Sequence, residues 1–308
     1  MARLFEFVSR PNLDPRGKVV FSEIDDKGLP FNQRNYRPMI INVALTGTEP
    51  SKSDNPRVPM SPPEIAADVE ACAARGATVF HLHMRDSLGN PTQSEERFSE
   101  TIQLVRAAVP AAIICVTTTS RGSANFDERC VPLHLQGGLK PDFASLSMGS
   151  FNFPKVVSRN PRNEIEMLAE VMKAAQILPE LEIFEPGMLG TAHHLIRRGL
   201  VPERPSINIF LGNFGSSGAT VGSLAPFMAE LPIGSNWALA GIGRFQRKAI
   251  VLAAALGGNV RVGLEDDAIG DGSGAWSNAD AVQLAADAAG IAGRPVASFD
   301  EARSVLGL

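Results

Sequence analysis

Two histidines separated by one residue, His81 and His83, are the residues whose types and spacing most directly suggest chemistry. They interrupt an apolar run, and Arg85 follows at the same spacing. Because side chains alternate between the two faces of a β-strand, these three polar side chains are expected to share one face. Two neutral imidazoles on one face can bind a single metal ion. The alternative is a pair of buried histidines held only by hydrogen bonds.

A carboxylate near the C-terminal end of the sequence is the expected third metal ligand. Arg261 and Glu265 alternate with the apolar residues Val260, Val262 and Leu264, so they should share the inward face of a strand. A catalytic zinc site commonly has three protein ligands and one open position. We therefore predict that Glu265 joins the two histidines around Zn²⁺. The alternative is a buried Arg261–Glu265 ion pair without a metal.

Two further acidic residues are candidates for roles beside this metal. Asp266 follows Glu265 directly, and a carboxylate beside a metal and a buried arginine is a candidate general base. The alternative for Asp266 is an acid at a helix N-terminus, where it favours the helix dipole. Glu182 stands in the apolar run of the fifth predicted strand, and we expect Arg261 to be its charge partner.

Polar residues at other predicted strand ends are candidates for substrate binding. Hydroxyl-rich runs contain Thr117, Thr118, Ser145 and Ser147, which could bind a substrate carboxylate or equally satisfy loop backbone groups. Glu49 follows the first predicted strand. A carboxylate there favours a substrate that is cationic or donates hydrogen bonds, and it disfavours a second carboxylate. The alternative is an ordinary solvated loop acid.

The elements that must position these residues are short apolar strands alternating with amphipathic helices. The predicted strands are residues 39–47, 77–86, 111–119, 143–150, 181–187, 206–212, 236–243 and 259–266. Eight strands separated by helices are typical of an α/β fold, the (β/α)8 TIM barrel, whose active site lies at the carboxyl ends of the strands. We predict this barrel over residues 39–308, preceded by an irregular N-terminal arm over residues 1–38. A doubly wound open sheet is the alternative.

Helical patterns fit between most of the strands, and we expect no clean helix in residues 120–142. The predicted helices are residues 62–75, 95–109, 161–175, 190–199, 222–230, 246–257 and 277–291. Ser61 should cap the first of them, with Glu64 three residues later. Gly76 and Gly199 should end helices, where a left-handed backbone is needed.

Composition excludes several classes of protein. The chain of 308 residues is 44% hydrophobic and has a net charge of −4, which is unlike a disordered or a nucleic-acid-binding protein. No apolar run reaches the roughly 18 residues of a membrane span. The three cysteines, Cys72, Cys115 and Cys130, are scattered through apolar surroundings. This pattern predicts reduced, core-filling thiols and a cytoplasmic protein.

Several motifs taken together resemble the β-keto acid cleavage enzyme family. They are His81-Leu82-His83 with Arg85-Asp86, Trp237-Ala238-x-Ala240-Gly241-Ile242-Gly243-Arg244, and Arg261-x-Gly263-x-Glu265-Asp266. The resemblance extends from about Ile40 to Leu308, and the order and spacing of the motifs are specific. One departure is Thr119-Ser120, which stands where the family often has a Gly-Gly pair.

The resemblance implies a (β/α)8 barrel with a zinc site, usually assembled as a homotetramer. It implies that a β-keto acid and acetyl-CoA react to give acetoacetate and a new acyl-CoA. In the family pattern the metal ligands are His81, His83 and Glu265, the base is Asp266, and its orienting partners are Arg261 and Glu182. Thr117 and Ser145 match hydroxyl positions near the substrate, and Glu49 matches an acid at its far end. A metal-dependent aldolase or hydrolase on the same barrel is the alternative function, because fold does not fix function.

Overall fold

Eight parallel strands close into a barrel, and we number them β1 to β8. The computed structural model describes residues 37–121, 125–270, 272–273 and 275–308, together with the backbone of residues 12–13 and 19–20. The strands are β1 Ile41–Ala44, β2 Val79–Leu82, β3 Ile113–Val116, β4 Phe143–Ser147, β5 Leu178–Ile183, β6 Ser206–Leu211, β7 Asn236–Gly241 and β8 Asn259–Val262. Each strand pairs with the next along the chain, and β8 pairs in parallel with β1. The predicted (β/α)8 TIM barrel is confirmed.

Helices surround this barrel. In the described part of the chain they are α1 Pro62–Ala73, α2 Glu95–Ala108, α3 Phe126–Cys130, α4 Arg162–Ala174, α5 Leu189–Arg197, α6 Val221–Glu230, α7 Gln246–Leu256, α8 Asn278–Ile291 and α9 Phe299–Leu306. All seven predicted helices are present. Residues 120–142 contain the short α3 and two 3₁₀ turns, which agrees with the absence of a clean helical pattern there. The terminal helix α9 was not among the predicted elements.

The ends of the helices follow the chemistry of their terminal residues. At the start of α1, the side chain of Glu64 accepts hydrogen bonds from the backbone N–H groups of Met60 and Ser61, each at 3.0 Å. Gly76 and Gly199 have φ angles of 103° and 64°, the left-handed conformation that glycine adopts without steric cost. None of the described helices is long and apolar enough to cross a membrane.

The core of the barrel has two parts. Side chains on the outer faces of the strands, such as Phe80 and Leu82 of β2, pack against the helices in a large apolar cluster. A smaller cluster fills the barrel interior at its N-terminal end and includes Val79, Ile113 and Phe143. Leu306 of α9 packs against this smaller cluster from below. Two positions further along β2 and β4, towards the carboxyl ends of the strands, the buried polar residues His81 and Ser145 follow Val79 and Phe143.

Most of the predicted N-terminal arm, residues 1–38, lies outside the described residues. Within it, Asn12–Leu13 and Val19–Val20 pair as a two-residue antiparallel ladder. The described chain then continues into the barrel at Met39, whose backbone N–H donates to Pro295 O at 2.8 Å.

Candidate active site

The two histidines and the glutamate predicted to bind a metal lie together at the carboxyl end of the barrel. His81 lies in β2, His83 follows that strand, and Glu265 follows β8. The Nε2 atom of His83 is 3.4 Å from Glu265 Oε1, and the Nε2 atom of His81 is 3.8 Å from Glu265 Oε2. One ligand atom from each residue lies within 4.8 Å of the others, and all three side chains are buried. The arrangement can hold a metal ion.

Two glycines allow Glu265 to approach the end of β1. Gly47 has a φ of 68°, and a Cβ atom on it would lie 2.6 Å from Glu265 Cγ. Gly263 has a φ of 132°, and a Cβ atom on it would collide with the carbonyl of Ala44. The backbone N–H of Glu265 donates to the same carbonyl at 3.1 Å. A side chain at either glycine would displace the glutamate from the histidines.

Arg261 of β8 is surrounded by three carboxylates. Its Nε donates to Asp266 Oδ2 at 2.9 Å, and its Nη2 donates to Glu265 Oε1 at 3.0 Å. Its Nη1 lies 3.7 Å from Glu182 Oε1, so the predicted Glu182–Arg261 pair is present as an ion pair. The guanidinium is fully buried and lies 5.0 Å from the ring centre of Phe210. Such a buried cation holds the acidic groups in fixed positions.

An unpaired oxygen distinguishes a metal site from a simple ion pair here. Glu265 Oε2 is buried and has no hydrogen-bond partner among the described residues, although the other oxygen of the same carboxylate is bonded to Arg261. Leaving a buried acceptor unsatisfied costs about 1–3 kcal/mol, and more when it is charged. The unpaired oxygen faces His81 Nε2. Two imidazoles and a carboxylate are also the ligands of some catalytic zinc sites, so the residues fit a divalent ion.

The pKa directions are consistent with this division of roles. Burial, reinforced by Arg261, lowers the pKa of His81 well below its ordinary value, which favours the neutral, metal-binding imidazole. Burial opposes the ionisation of Glu265, but His83 and Arg261 outweigh it and hold the pKa of Glu265 well below its ordinary value. Burial raises the pKa of Asp266 to about 6, against the opposing effect of Arg261. A carboxyl group with that pKa is suited to proton transfer near neutral pH.

A cavity of about 180 Å³ opens above these residues. Its wall includes the predicted site residues Glu49, His83, Thr117, Ser145, Ser147, Glu182, Arg261, Glu265 and Asp266. Within it, the hydroxyl of Ser147 donates to Glu182 Oε2 at 2.6 Å. The structure therefore brings candidate ligands, base and hydroxyl groups to one space.

Thr118 and Arg85 do not occupy the predicted places. The Thr118 hydroxyl donates to the backbone carbonyl of Ser145 at 2.6 Å, and Thr118 does not line the cavity. Arg85 pairs with Pro91 in a short antiparallel ladder after β2, and its Nη2 donates to Pro50 O at 2.8 Å. The Thr118 side chain thus binds the backbone of β4, and the Arg85 side chain binds the loop after β1.

Arg121 lines the cavity, and the sequence had not indicated it. Its guanidinium lies 4.3 Å from the ring centre of Phe153, and its Nε donates to Thr119 Oγ1 at 3.5 Å. Among the described residues no carboxylate lies within 4.0 Å of it. The sequence feature that could have indicated this role is the position of Arg121, directly after Thr119-Ser120, where the family often has a Gly-Gly pair.

The prediction that the three cysteines fill core positions is confirmed, and Cys115 has polar neighbours as well. The three thiols are buried and unpaired, as expected. The Sγ atom of Cys115, however, lies 3.4 Å from His81 Nδ1 and donates to Glu180 Oε2 at 3.4 Å. Glu180 was missed because β5 begins three residues earlier than predicted, which turns this side chain into the barrel. Burial raises the pKa of Glu180 to about 7.

Comparison with known proteins identifies a matching family and similar relatives. The family model described as beta-keto acid cleavage enzyme matches residues 38–308. The 3-keto-5-aminohexanoate cleavage enzyme of Fusobacterium nucleatum is 35% identical over 273 residues, which cover 88% of this chain and 98% of that protein. The 3-oxoadipate:acetyl-CoA acetyltransferase of Cupriavidus necator is 36% identical over 279 residues, with coverage of 88% and 95%.

Comparison of folds gives the same architecture. The solved apo structure of ObcA superposes with a TM-score of 0.72 at 20% identity, covering 82% of this chain and 66% of that one. At this identity the likeness supports the fold alone. The family match extends over nearly the whole described barrel and includes the cavity residues. The chain therefore belongs to the family of beta-keto acid cleavage enzymes.

Proposed function

We propose that this chain is a zinc-dependent enzyme that cleaves a β-keto acid with acetyl-CoA as co-substrate, giving acetoacetate and a new acyl-CoA. The observation that carries the metal assignment is the unpaired, buried Oε2 of Glu265 facing His81, with His83 beside it. The names of relatives, such as the acetyl-CoA acetyltransferase above, support acetyl-CoA as the second substrate.

The metal would be held by His81, His83 and Glu265. When bound, a divalent metal supplies a Lewis acid that polarises the keto oxygen and favours loss of a proton from the carbon beside it. Asp266 takes that proton in our proposal, because its buried carboxyl lines the same cavity. Arg261 orients this carboxyl through its Nε–H bond at 2.9 Å.

After proton removal, the carbon between the two carbonyl groups of the substrate attacks the acetyl thioester. The released thiolate then adds to the original keto carbon, and the bond between this carbon and the newly acetylated carbon breaks. The new acyl-CoA is formed, and Asp266 returns its proton to the acetylated carbon, which leaves as acetoacetate. Thr117 and Ser145 offer hydroxyl groups on the cavity wall, and Arg121 offers a cation. We assign these three residues to the carboxylate of the β-keto acid, since Arg121 has no carboxylate partner of its own in the described residues.

For the far end of the substrate, we propose an amino, quaternary ammonium or hydroxyl group facing Glu49. Glu49 lines the cavity from the loop after β1, on a different strand end from Arg121. The relatives do not choose between substrates, because an enzyme named for an amino-bearing acid and one named for 3-oxoadipate are about equally similar. The charge of Glu49 therefore carries this part of the proposal.

A panel of β-keto acids, incubated with and without acetyl-CoA and monitored for acetoacetate, tests the function. We expect turnover only when acetyl-CoA is present. Turnover without acetyl-CoA would instead favour a metal-dependent aldolase or hydrolase. A homotetramer in the cytoplasm is the remaining part of the proposal, and light scattering on the purified protein tests the oligomeric state.

A further inference from the structure

A chain of buried polar side chains lies beside the metal-site histidine His81 in the barrel interior, outside the cavity wall. Asn42 of β1 donates from Nδ2 to Glu180 Oε1 at 2.6 Å. Cys115 of β3 donates from Sγ to Glu180 Oε2 at 3.4 Å, and the same Sγ lies 3.4 Å from His81 Nδ1. All four residues are at most 5% exposed. We call Asn42, Glu180 and Cys115 the Cys115 chain.

These hydrogen bonds favour one position for the hydrogen of His81. A thiol has one hydrogen, and when Glu180 is ionised the Cys115 thiol gives that hydrogen to its carboxylate, so the sulfur accepts from His81 Nδ1. The hydrogen of a neutral His81 must then be on Nδ1, which leaves the lone pair on Nε2. That atom is the one that faces Glu265, at 3.8 Å. Metal-bound histidines commonly depend on such a partner at the other ring nitrogen.

We propose that Cys115 is a positioning residue of the metal centre, whose sulfur accepts the His81 Nδ1 hydrogen and so presents Nε2 to the ion. The inference rests on the proposed function for the presence of the metal, but the geometry of the Cys115 chain does not depend on it. Register supports the assignment, because His81 and Cys115 are direct partners in the β2–β3 pairing.

A rival interpretation is that Cys115 is itself a ligand. His81, Cys115 and Glu180 also offer three ligand atoms within 4.8 Å of one another. Neither Cys115 nor Glu180 lines the cavity, however, whereas His83 and Glu265 do. An ion held by His81, His83 and Glu265 would reach a substrate in the cavity. An ion held by His81, Cys115 and Glu180 would not.

The first experiment measures the protonated nitrogen of His81 in the metal-free protein, by NMR of ¹⁵N-labelled histidine. We expect Nδ1–H in the wild type and a mixture of the two neutral tautomers in Cys115→Ala. Cys72→Ala is the matched control, because Cys72 is an equally buried thiol in the outer core, and it should keep the wild-type signal. A wild-type His81 with its hydrogen on Nε2 would overturn the proposal.

The second experiment measures metal affinity. We expect Cys115→Ala to bind Zn²⁺ about 10–100-fold more weakly, the usual effect of losing such a partner. Cys115→Ser should restore part of the affinity, and Cys72→Ala should leave it unchanged. Unchanged affinity in Cys115→Ala would refute the positioning role. Thiolate-to-cobalt absorption in the Co²⁺-loaded wild type, lost in Cys115→Ala, would also refute it by making Cys115 a ligand.

These two readouts separate this inference from the proposed function. If the wild type bound no metal, the proposed function would fail, while the tautomer of His81 would still decide whether Cys115 sets the proton position. If the metal bound as proposed and the tautomer did not respond to Cys115→Ala, only the present inference would fail. Thermal unfolding of both alanine variants controls for a loss of folding.

Discussion

The two ends of the barrel interior differ in chemistry although the same strands build both. In three neighbouring strands an apolar inward residue is followed two positions later by a polar one: Val79 and His81 in β2, Ile113 and Cys115 in β3, and Phe143 and Ser145 in β4. The apolar layer and the polar layer are therefore separated by two residues along each strand, or about 7 Å. The lower layer stabilises the fold by burial, and the buried carboxylates of the upper layer are held by their ion pairs with Arg261.

The most severe test of this contrast removes a metal ligand from the upper layer. His83→Ala should lose most of the bound metal and nearly all turnover, because a site with two protein ligands is left. Metal analysis of the purified variant and acetoacetate release measure both effects. His134→Ala is the control, since His134 is exposed and does not line the cavity. A full complement of metal in His83→Ala would contradict the assignment.

The next largest effect should come from the proposed base. Asp266→Asn keeps the volume of the side chain but cannot accept the proton, so turnover should fall by about 10²–10⁴ with the metal retained. Asp267→Asn is the matched control, because Asp267 is also buried but accepts a hydrogen bond from the backbone of Gly270. Near wild-type turnover in Asp266→Asn would mean that another residue removes the proton, with Glu182 the next candidate.

The lower layer should respond in stability and not in chemistry. Phe143→Ala removes a buried ring from the N-terminal cluster, so the free energy of unfolding should fall by about 3 kcal/mol. In protein that remains folded, kcat should stay within about twofold of the wild type. Denaturant titration and steady-state kinetics at a low temperature measure the two quantities. A large fall in kcat without loss of stability would show that the two layers are coupled.

A smaller effect is expected at the rim of the cavity. If Glu49 faces an amino group, Glu49→Gln should reduce the preference for amino-bearing over aliphatic β-keto acids by roughly tenfold, since close ion pairs contribute on the order of 1–2 kcal/mol. The ratio of kcat/KM values for the two substrates measures it. A wild type that prefers a dicarboxylic β-keto acid would refute the charge argument.

The smallest effect concerns a half-buried carboxyl group outside both layers, that of Asp68. Burial raises the pKa of Asp68 in α1 to about 6, with its hydrogen bond from Asn278 opposing the rise. The folded state thus binds protons more tightly than the unfolded state, and this group becomes less favourable to folding as pH rises through about 6. Asp68→Asn should be more stable than the wild type at pH 8, by about 1 kcal/mol, because partial exposure weakens the penalty. The difference should vanish near pH 4. Equal free energies of unfolding for Asp68→Asn and the wild type at pH 8 would contradict this prediction.

The pattern of the sequence was sufficient for the barrel and for the centre of the site. Period-two alternation placed His81 and His83 on the inward face, and it placed Arg261 there as well. Each of these signals is local, because a charged or polar residue stands inside an apolar run. The carboxyl ends of parallel strands then converge by topology, so residues almost two hundred positions apart meet without any pairwise signal.

Some side chains were placed wrongly or overlooked, for physical reasons that a periodic sequence pattern does not reveal. Arg85 leaves the strand geometry because the chain after β2 folds back onto Pro91. Glu180 lay outside the predicted strand 181–187, whereas Pro179 and Glu180 pair with Ala144 and Ser145 at the beginning of β5, where a proline is tolerated. The role of Arg121 depends on a loop conformation, which no periodicity describes.

The closure of the barrel has a consequence for the order in which the chain becomes able to fold during synthesis. The backbone of Met39, near the start of the barrel, bonds to Pro295 and to Ala297, and α9 places Leu306 against the lower core. A nascent chain that has emerged only as far as β8 would lack both contacts, so its lower apolar layer would remain open to water. The barrel can complete its core only once α9 has left the ribosome, and until then its apolar base is a surface for chaperones to protect.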